Sequence, residues 1–259
     1  MESSARRQKL RSLELHDRLL GTIASALVLP CRLRATVSTR FVYLLQREMH
    51  VHPALDDIAA GLAAAGRRFD AFGWTLGTSG NLSAVITRKP LRVAITPSGA
   101  DKGSLLPGQM VVIGPQGRRI GSAGSPSAEA LLHVAIIRLR GAGAVFHTHS
   151  IWATALSDLY AAAGGFAIEG YEMLKGFSGV ATHERREWVP ILENAQDMRA
   201  LARRIRIALA RHPAAHGFLL RRHGLYTWGT DIAEATRHVE VFEFLLEALG
   251  RSRDLQIRR

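Results

Sequence analysis

Apolar residues recur at helical spacing in several segments of the chain. The first segment follows Pro53, and its apolar positions lie mostly three, four or seven residues apart: Leu55, Ile58, Leu62 and Phe69. A proline followed closely by acidic residues is typical of a helix start, because proline fits the first turn and carboxylates favour the positive end of the helix. The same kind of pattern predicts four more helices, over residues 126–140, 151–156, 195–210 and 232–249.

Shorter apolar runs between these helices predict strands. They cover residues 84–87, 93–96, 111–113, 144–148, 217–220 and 225–228, and a further strand-like run ends near Ile168. Small residues at 73–83 predict a loop. Short strands and longer helices without strict alternation in the first half favour the α/β class. We therefore expect a three-layer α/β/α sandwich around a mixed or antiparallel sheet.

The first 48 residues differ from the rest of the chain. They contain nine basic and four acidic residues and show little helical or strand period. Three interpretations remain open for this segment: a targeting sequence, a disordered arm, or sequence upstream of a true start at Met49. We predict a basic N-terminal extension at residues 1–48 and a catalytic domain at residues 49–259.

Composition narrows the class of protein. With 259 residues, 47% of them hydrophobic and 22% charged, the chain can bury a sizeable core. No apolar run reaches about 18 residues, which disfavours a membrane span. The single cysteine, Cys31, allows neither an internal disulfide nor a cysteine-based metal site, so we expect a reducing, cytoplasmic setting.

The net charge of +12 favours anionic ligands. Nucleic acid is one class of anion and phosphorylated small molecules are another. Aromatic residues make up only 7% of the chain and do not alternate with the basic runs, which disfavours a nucleic-acid surface.

Three histidines are candidates for a metal site. In a strand, side chains two positions apart point to the same face, so His147 and His149 are predicted to project together. His223, in a tight turn before Gly224, could supply a third ligand and leave an open position for a substrate. The alternative is that these imidazoles only bond to backbone groups.

Other polar candidates lie in two glycine-rich segments and at two carboxylates. The segments offer amides and hydroxyls that suit a phosphate, although plain turns are the alternative: Thr78, Ser79, Gly80 and Asn81 in the first, Ser98, Gly99 and Lys102 in the second. Neither segment fits a nucleotide-binding fingerprint. Glu129 and Glu172 could each act as a general acid or base, but spacing alone does not separate them from surface acids.

These motifs together resemble the class II aldolase/adducin superfamily over roughly residues 53–249. The pair His147-Thr148-His149-Ser150 and Arg222-His223-Gly224-Leu225-Tyr226 is similar to the superfamily's marker. Residues 172–176, 182–184 and 190–197 are similar to a branch of it that dehydrates 5-methylthioribulose 1-phosphate in methionine salvage.

The resemblance implies an α/β/α homotetramer that acts on a small phosphorylated sugar. It also implies one Zn²⁺ per subunit, held by His147, His149 and His223, and a phosphate site in the glycine-rich segments. Glu172 would be the acid/base that moves the C3 proton of the substrate and assists loss of the C4 hydroxyl, giving 2,3-diketo-5-methylthiopentyl 1-phosphate. Neither a nucleic acid nor a membrane is expected as a partner.

Glu129 departs from the pattern of the dehydratase branch. Some members of the family carry a cysteine there, whereas superfamily aldolases have their catalytic glutamate nearby. This residue could be a neighbour of the zinc, a second base or a simple helix cap. It keeps a sugar-phosphate aldolase or epimerase as an alternative. A non-catalytic, adducin-like interaction module is disfavoured because all three histidines are present.

Overall fold

A mixed eight-stranded sheet lies at the centre of the computed structural model, which describes residues 53–121 and 124–257. The predicted extension at residues 1–48 lies outside the described residues. The strands are β1 (Asn81–Arg88), β2 (Leu91–Ile95), β3 (Val111–Ile113), β4 (Ala144–Thr148), β5 (Gly165–Ile168), β6 (Glu187–Leu192), β7 (Gly217–Leu220) and β8 (Gly224–Gly229). Their order is β3-β2-β1-β4-β8-β7-β6-β5, and every neighbouring pair is antiparallel except β6 with β7.

Helices cover both faces of this sheet. They are α1 (Pro53–Ala71), α2 (Ala130–Arg140), α3 (Ile151–Leu159), α4 (Met198–Arg211) and α5 (Ile232–Ile257). Apolar residues of α2 and α4 pack on one face, and those of α1, α3 and α5 pack on the other. The predicted three-layer α/β/α sandwich around a mixed sheet is therefore confirmed. None of the described helices is both long and apolar enough to cross a lipid bilayer.

The central strand β4 shows how the layers are built. All five of its residues are buried because helices cover both of its faces. Val145 packs in the cluster formed with α2 and α4, whereas Phe146 packs with α1 and α5 on the opposite face. Successive side chains of β4 therefore point alternately to the two helical layers.

Most predicted elements are present, and the differences have physical causes. The loop predicted over residues 73–83 ends early, because β1 begins at Asn81 and its first four residues pair with β4. The second helix begins at Ala130 rather than at residue 126. Strand β6 was missing from the prediction because Pro190 interrupts its apolar run, and proline is unusual inside a sheet.

The pairing of β4 with β8 leaves no room for a side chain at Gly224. A Cβ there would lie 2.0 Å from the carbonyl oxygen of Thr148 and 3.2 Å from the ring of His147. The obstruction is backbone, which cannot turn away as a side chain could. Gly224 thus allows the close approach that joins these two strands.

We expect Gly224→Ala to lower the free energy of unfolding by about 2–3 kcal/mol, because the two strands must separate. Gly108→Ala is the matched control, since a Cβ at Gly108 meets nothing within 4 Å. Urea unfolding followed by circular dichroism would measure both variants. Equal stability of the two would contradict the tight pairing.

Candidate active site

Three histidines meet where β4 ends and β8 begins. His147 and His149 come from β4 and the residue just after it, and His223 lies in the turn between β7 and β8. The Nε2 atoms of His147 and His149 are 2.7 Å apart, and those of His147 and His223 are 3.3 Å apart. One nitrogen from each ring lies within 4.8 Å of the others. The predicted cluster therefore forms within one chain.

The protonation of these rings suits metal ligands. Nδ1 of His147 lies 2.8 Å from the carbonyl oxygen of Leu225, so it carries the proton and donates, which leaves Nε2 as a lone pair. Burial, with the other imidazoles adding to it, lowers the pKa of His147 well below its ordinary value. Burial and then His223 lower the pKa of His149 to about 4. Both rings are neutral near pH 7.

The donor set fits a divalent transition metal. Lone pairs on nitrogens this close repel one another unless a cation or a proton lies between them. Neutral imidazoles suit Zn²⁺ and several related ions, and three of them leave a position open for another ligand. The group His147, His149 and His223 could therefore hold a metal ion.

Glu129 lies beside the histidine cluster. Its Oε2 is 3.5 Å from Nε2 of His147, and its Oε1 is 3.7 Å from Nε2 of His223. It occupies the residue before α2, yet its side chain makes no cap hydrogen bond, so the helix-cap interpretation is wrong. Instead, Nδ2 of Asn81 donates to Oε2 at 2.7 Å. Glu129 is a neighbour of the candidate metal site.

A buried histidine that the sequence analysis did not single out orients Asn81 toward Glu129. His133 lies four residues after Glu129 on α2 and is fully buried. Its Nε2 contacts Oδ1 of Asn81, and its Nδ1 lies 2.7 Å from Oγ of Ser83. Burial lowers the pKa of His133 to about 3, so the ring is neutral. It holds the Asn81 amide so that the amide nitrogen faces Glu129.

Tyr226 contacts the histidine cluster, although the sequence analysis named it only as part of the marker motif. Its ring stacks on His147 with 4.0 Å between the ring centres, and the side chain is fully buried. Burial, followed by the nearby Glu129 carboxylate, raises the pKa of Tyr226 well above its ordinary value of 10. The side chain is a neutral phenol that fixes the plane of the His147 ring.

A cavity of about 330 Å³ opens beside the histidines. Its lining includes most of the residues predicted from the two glycine-rich segments and from the metal and carboxylate candidates: Thr78, Gly80, Asn81, Ser98, Gly99, Glu129, His149 and His223. Ser127, Asn194, Gln196 and Met198 also line it and were given no role in the sequence analysis. The signal for Asn194 and Gln196 was their place in the segment 190–197, which is similar to the dehydratase branch.

Lys102 does not line the cavity. It is buried, and its Nζ donates to the carbonyl oxygens of Thr78 at 2.8 Å and Ala100 at 2.7 Å. Burial lowers the pKa of Lys102 to about 8, although Asp101 and Asp70 act in the opposite direction. Thr78 adopts a φ of 65°, which is unusual for a residue other than glycine. Lys102 thus joins the two glycine-rich segments and holds a strained backbone.

Glu172 is not brought to this cavity within one chain. The histidines lie where β7 ends, and β6 runs parallel to β7 and ends at the same edge of the sheet. Since β5 is antiparallel to β6, it ends at the opposite edge, and Glu172 follows four residues after its end. The carboxylate is 70% exposed, pairs with Lys175, and lies 3.8 Å from Nδ1 of His183.

The turn that carries Glu172 is firmly attached to α5. The amide nitrogen of Ser178 donates to Nε2 of His238 at 3.2 Å, and its hydroxyl donates to Glu234. Nε of Arg237 donates to the carbonyl oxygen of Gly176 at 2.9 Å. Glu172 therefore projects from a fixed point on the surface.

The fold and the histidine cluster define a class II aldolase-type domain. The chain belongs to the class II aldolase and adducin N-terminal domain family, whose model matches residues 60–249. The resemblance inferred from the motifs is thereby confirmed.

The sequence is similar to proteins named methylthioribulose-1-phosphate dehydratase. It is 47% identical over 190 residues to the one from Marinobacter nauticus, covering 73% of this chain and 90% of the relative. It is 42% identical over 196 residues to that of Sorangium cellulosum, covering 75% and 92%. With that of Stenotrophomonas maltophilia it shares 41% over 223 residues, covering 86% and 98%.

Solved structures of similar fold include two aldolases. An L-fuculose-1-phosphate aldolase from Thermus thermophilus superimposes with a TM-score of 0.63 at 23% identity, covering 78% of this chain and 98% of that one. A sugar-phosphate aldolase from Thermotoga maritima gives a TM-score of 0.57 at 16% identity, covering 82% and 97%. At these identities the likeness establishes the fold.

Lys102→Met is expected to destabilise the protein by about 2 kcal/mol, because the carbonyl oxygens of Thr78 and Ala100 lose their donor. Since the folded pKa of about 8 lies below the ordinary 10.5, the unfolded chain binds more protons between these values. The contribution of Lys102 to stability therefore rises with pH over that window. Urea unfolding of wild type, Lys102→Met and the exposed-lysine control Lys89→Met at pH 7.5 and pH 10 would test this. A difference from wild type that stays constant with pH would contradict the assignment.

Proposed function

We propose that this protein is a zinc-dependent lyase that dehydrates 5-methylthioribulose 1-phosphate in methionine salvage. The observation that carries the proposal is a cluster of three imidazoles and a carboxylate beside a cavity that the glycine-rich segments also line. The names of its relatives supply the substrate. The reaction removes a proton from C3 and hydroxide from C4, which leave as water, and the resulting enol becomes the 2,3-diketone.

The three histidines would hold Zn²⁺. The metal would supply Lewis acidity toward the C2 carbonyl, which makes the C3 hydrogen more acidic. The chain's own contribution is to keep the His147 ring neutral and fixed: the carbonyl oxygen of Leu225 accepts a hydrogen bond from its Nδ1, and Tyr226 stacks on the same ring. A ring fixed in this way needs little rearrangement when the ligand binds.

The glycine-rich segments would hold the phosphate. Thr78, Gly80, Ser98 and Gly99 line the cavity with backbone amides and hydroxyls, which suit phosphate oxygens. The net charge of +12 also favours an anionic substrate. A cavity of about 330 Å³ lies at the lower end of the range for small-molecule sites, which suits a five-carbon phosphate.

A second subunit would bring Glu172 to the site. Within one chain Glu172 lies at the opposite edge of the sheet from the histidines, yet its turn is rigid and its carboxylate is exposed. An exposed, fixed carboxylate can reach a neighbouring subunit, and a homotetramer would provide one. We therefore assign the acid/base role to Glu172 of an adjacent copy, with Glu129 of the same chain orienting the reacting groups.

Glu129 also supports a second candidate function. A carboxylate held 3.5 Å from Nε2 of His147 could take the proton of the C4 hydroxyl in a retro-aldol cleavage, in which the C3–C4 bond breaks and an enediolate forms, or move a proton in an epimerisation. A sugar-phosphate aldolase or epimerase is therefore the alternative. Release of a triose or glycolaldehyde phosphate from a ketose 1-phosphate would distinguish it.

The cellular setting is inferred from the cysteine content. One cysteine, Cys31, has no partner in the chain for a disulfide, which supports the reducing cytoplasm. The extension at residues 1–48 stays a prediction.

The first test is metal content and turnover on one preparation of the full chain. We expect about one zinc per chain by mass spectrometry and formation of the diketone from 5-methylthioribulose 1-phosphate. His149→Ala is expected to abolish turnover and to lower bound zinc. Zinc without diketone would point to the aldolase or epimerase. Absence of metal even after reconstitution would refute the metal centre.

The second test separates the two carboxylates. Glu172→Gln is expected to lower kcat by about 10²–10⁴-fold with zinc content unchanged, because it removes a proton-transfer group. Glu169→Gln is the matched control, since Glu169 is also exposed in the same connection and pairs with Arg186.

Mixing subunits tests the exchange between copies. If Glu172 acts across an interface, co-refolded Glu172→Gln and His149→Ala subunits should recover part of the wild-type activity. Each inactive parent supplies the group that the other lacks. No recovery in confirmed mixed oligomers would refute the role of the adjacent copy.

A further inference from the structure

A buried carboxylate lies behind the histidine cluster, on the other face of the sheet. Glu243 of α5 is only 3% exposed. No lysine, arginine or histidine among residues 53–121 and 124–257 forms an ion pair with it. Burial raises the pKa of Glu243 to about 7, and the hydroxyls of Ser150 and Thr148 offset this only in part. Burying a carboxylate without a cation costs free energy. We therefore ask which contacts of Glu243 could serve the site.

The hydrogen bonds of Glu243 go to residues that alternate with the metal-site histidines. Oγ1 of Thr148 donates to Oε1 of Glu243 at 2.7 Å, and the hydroxyl of Ser150 lies close enough to this carboxylate to lower its pKa. Thr148 lies between His147 and His149, and Ser150 follows His149. One carboxylate therefore holds the chain on both sides of His149.

The same contacts fix the start of α3. Oγ of Ser150 accepts a hydrogen bond from the amide nitrogen of Ala153 at 3.1 Å, which caps the helix. Glu243 thereby links the end of β4, the start of α3 and the middle of α5. Three elements are joined at the residue that carries His149.

His149 depends on this support more than His147 does. His147 has its own ring partner, the carbonyl oxygen of Leu225. Within the described part of the chain, the ring of His149 has no backbone or carboxylate partner of this kind and lies within hydrogen-bond distance only of Nε2 of His147, while its backbone nitrogen donates to the carbonyl oxygen of Trp74 at 2.8 Å. The direction of the His149 ring is therefore set mainly by the backbone around it.

We infer that Glu243 is a positioning residue for the metal centre, which sets the direction of His149 by holding Thr148 and Ser150. This inference rests on the proposed metal site, and not on the identity of the substrate. It places the support for one ligand in α5, across the sheet from the cavity.

The test is zinc affinity of the full chain, measured by competition with a chelator at fixed pH, together with the absorption spectrum of the Co²⁺-loaded protein. Glu243→Leu and Thr148→Val should each weaken zinc binding by about 10–100-fold, as loss of an outer partner commonly does. Glu243→Gln keeps an acceptor and should have a smaller effect. Glu247→Gln is the control, because Glu247 lies one turn further along α5 and pairs with the exposed Arg251.

Stability separates positioning from folding. Glu243→Leu removes an uncompensated buried charge, so the metal-free variant should unfold no more easily than Glu243→Gln while it binds zinc more weakly. If Glu243→Leu does not fold, Thr148→Val and Glu243→Gln carry the test. The double variant with Glu243→Leu and Thr148→Val should weaken zinc binding little more than either single substitution, because both substitutions break the same hydrogen bond.

The outcomes distinguish this inference from the proposed function. Variants that bind zinc as tightly as wild type and give the same Co²⁺ spectrum would overturn the role of Glu243. A wild type that binds no metal would overturn the metal centre and this inference together. Weakened zinc binding in an enzyme that forms no diketone would support the role of Glu243 and refute the dehydratase.

Discussion

The site depends on the close antiparallel pairing of β4 with β8. Thr148 pairs with Leu225 and His147 with Tyr226, so the turn before β8 places His223 beside the end of β4. Gly224 permits the approach because any Cβ there would meet the Thr148 carbonyl oxygen. The same register gives Nδ1 of His147 the carbonyl oxygen of Leu225 as its hydrogen-bond acceptor. One backbone pairing therefore creates the cluster and sets the tautomer of His147.

Burial then determines the chemistry on each face of the sheet. On the side of α2, desolvation keeps His133 and His147 neutral, so they act as acceptors and ligands rather than as cations. On the side of α5, Glu243 accepts a hydrogen bond from the hydroxyl of Thr148, which lies between the two histidines. The two layers thus support one short segment of β4 from opposite directions. A change in either layer would reach the metal ligands through the strand between them.

Local patterns were sufficient for most of the fold. The apolar periodicity of α1 and the short apolar run that opens β4 predicted both elements at nearly their observed bounds. Patterns failed where a tertiary partner outweighed local preference. Asn81 joins a strand because β4 pairs with it, and β6 tolerates Pro190 within its pairing with β5. Neither partner can be identified from the local sequence.

The sequence by itself determined which residues could bind a metal: a His-x-His pair in a strand must project to one face, and His223 follows an apolar run. The family resemblance lay in the same motifs. Only the tertiary structure decided that Glu129 faces the histidines, that Lys102 joins two loops, and that Glu172 lies at the far edge of the sheet. Distance between residues remote in sequence follows from strand order and direction, and local spacing carries no information about either.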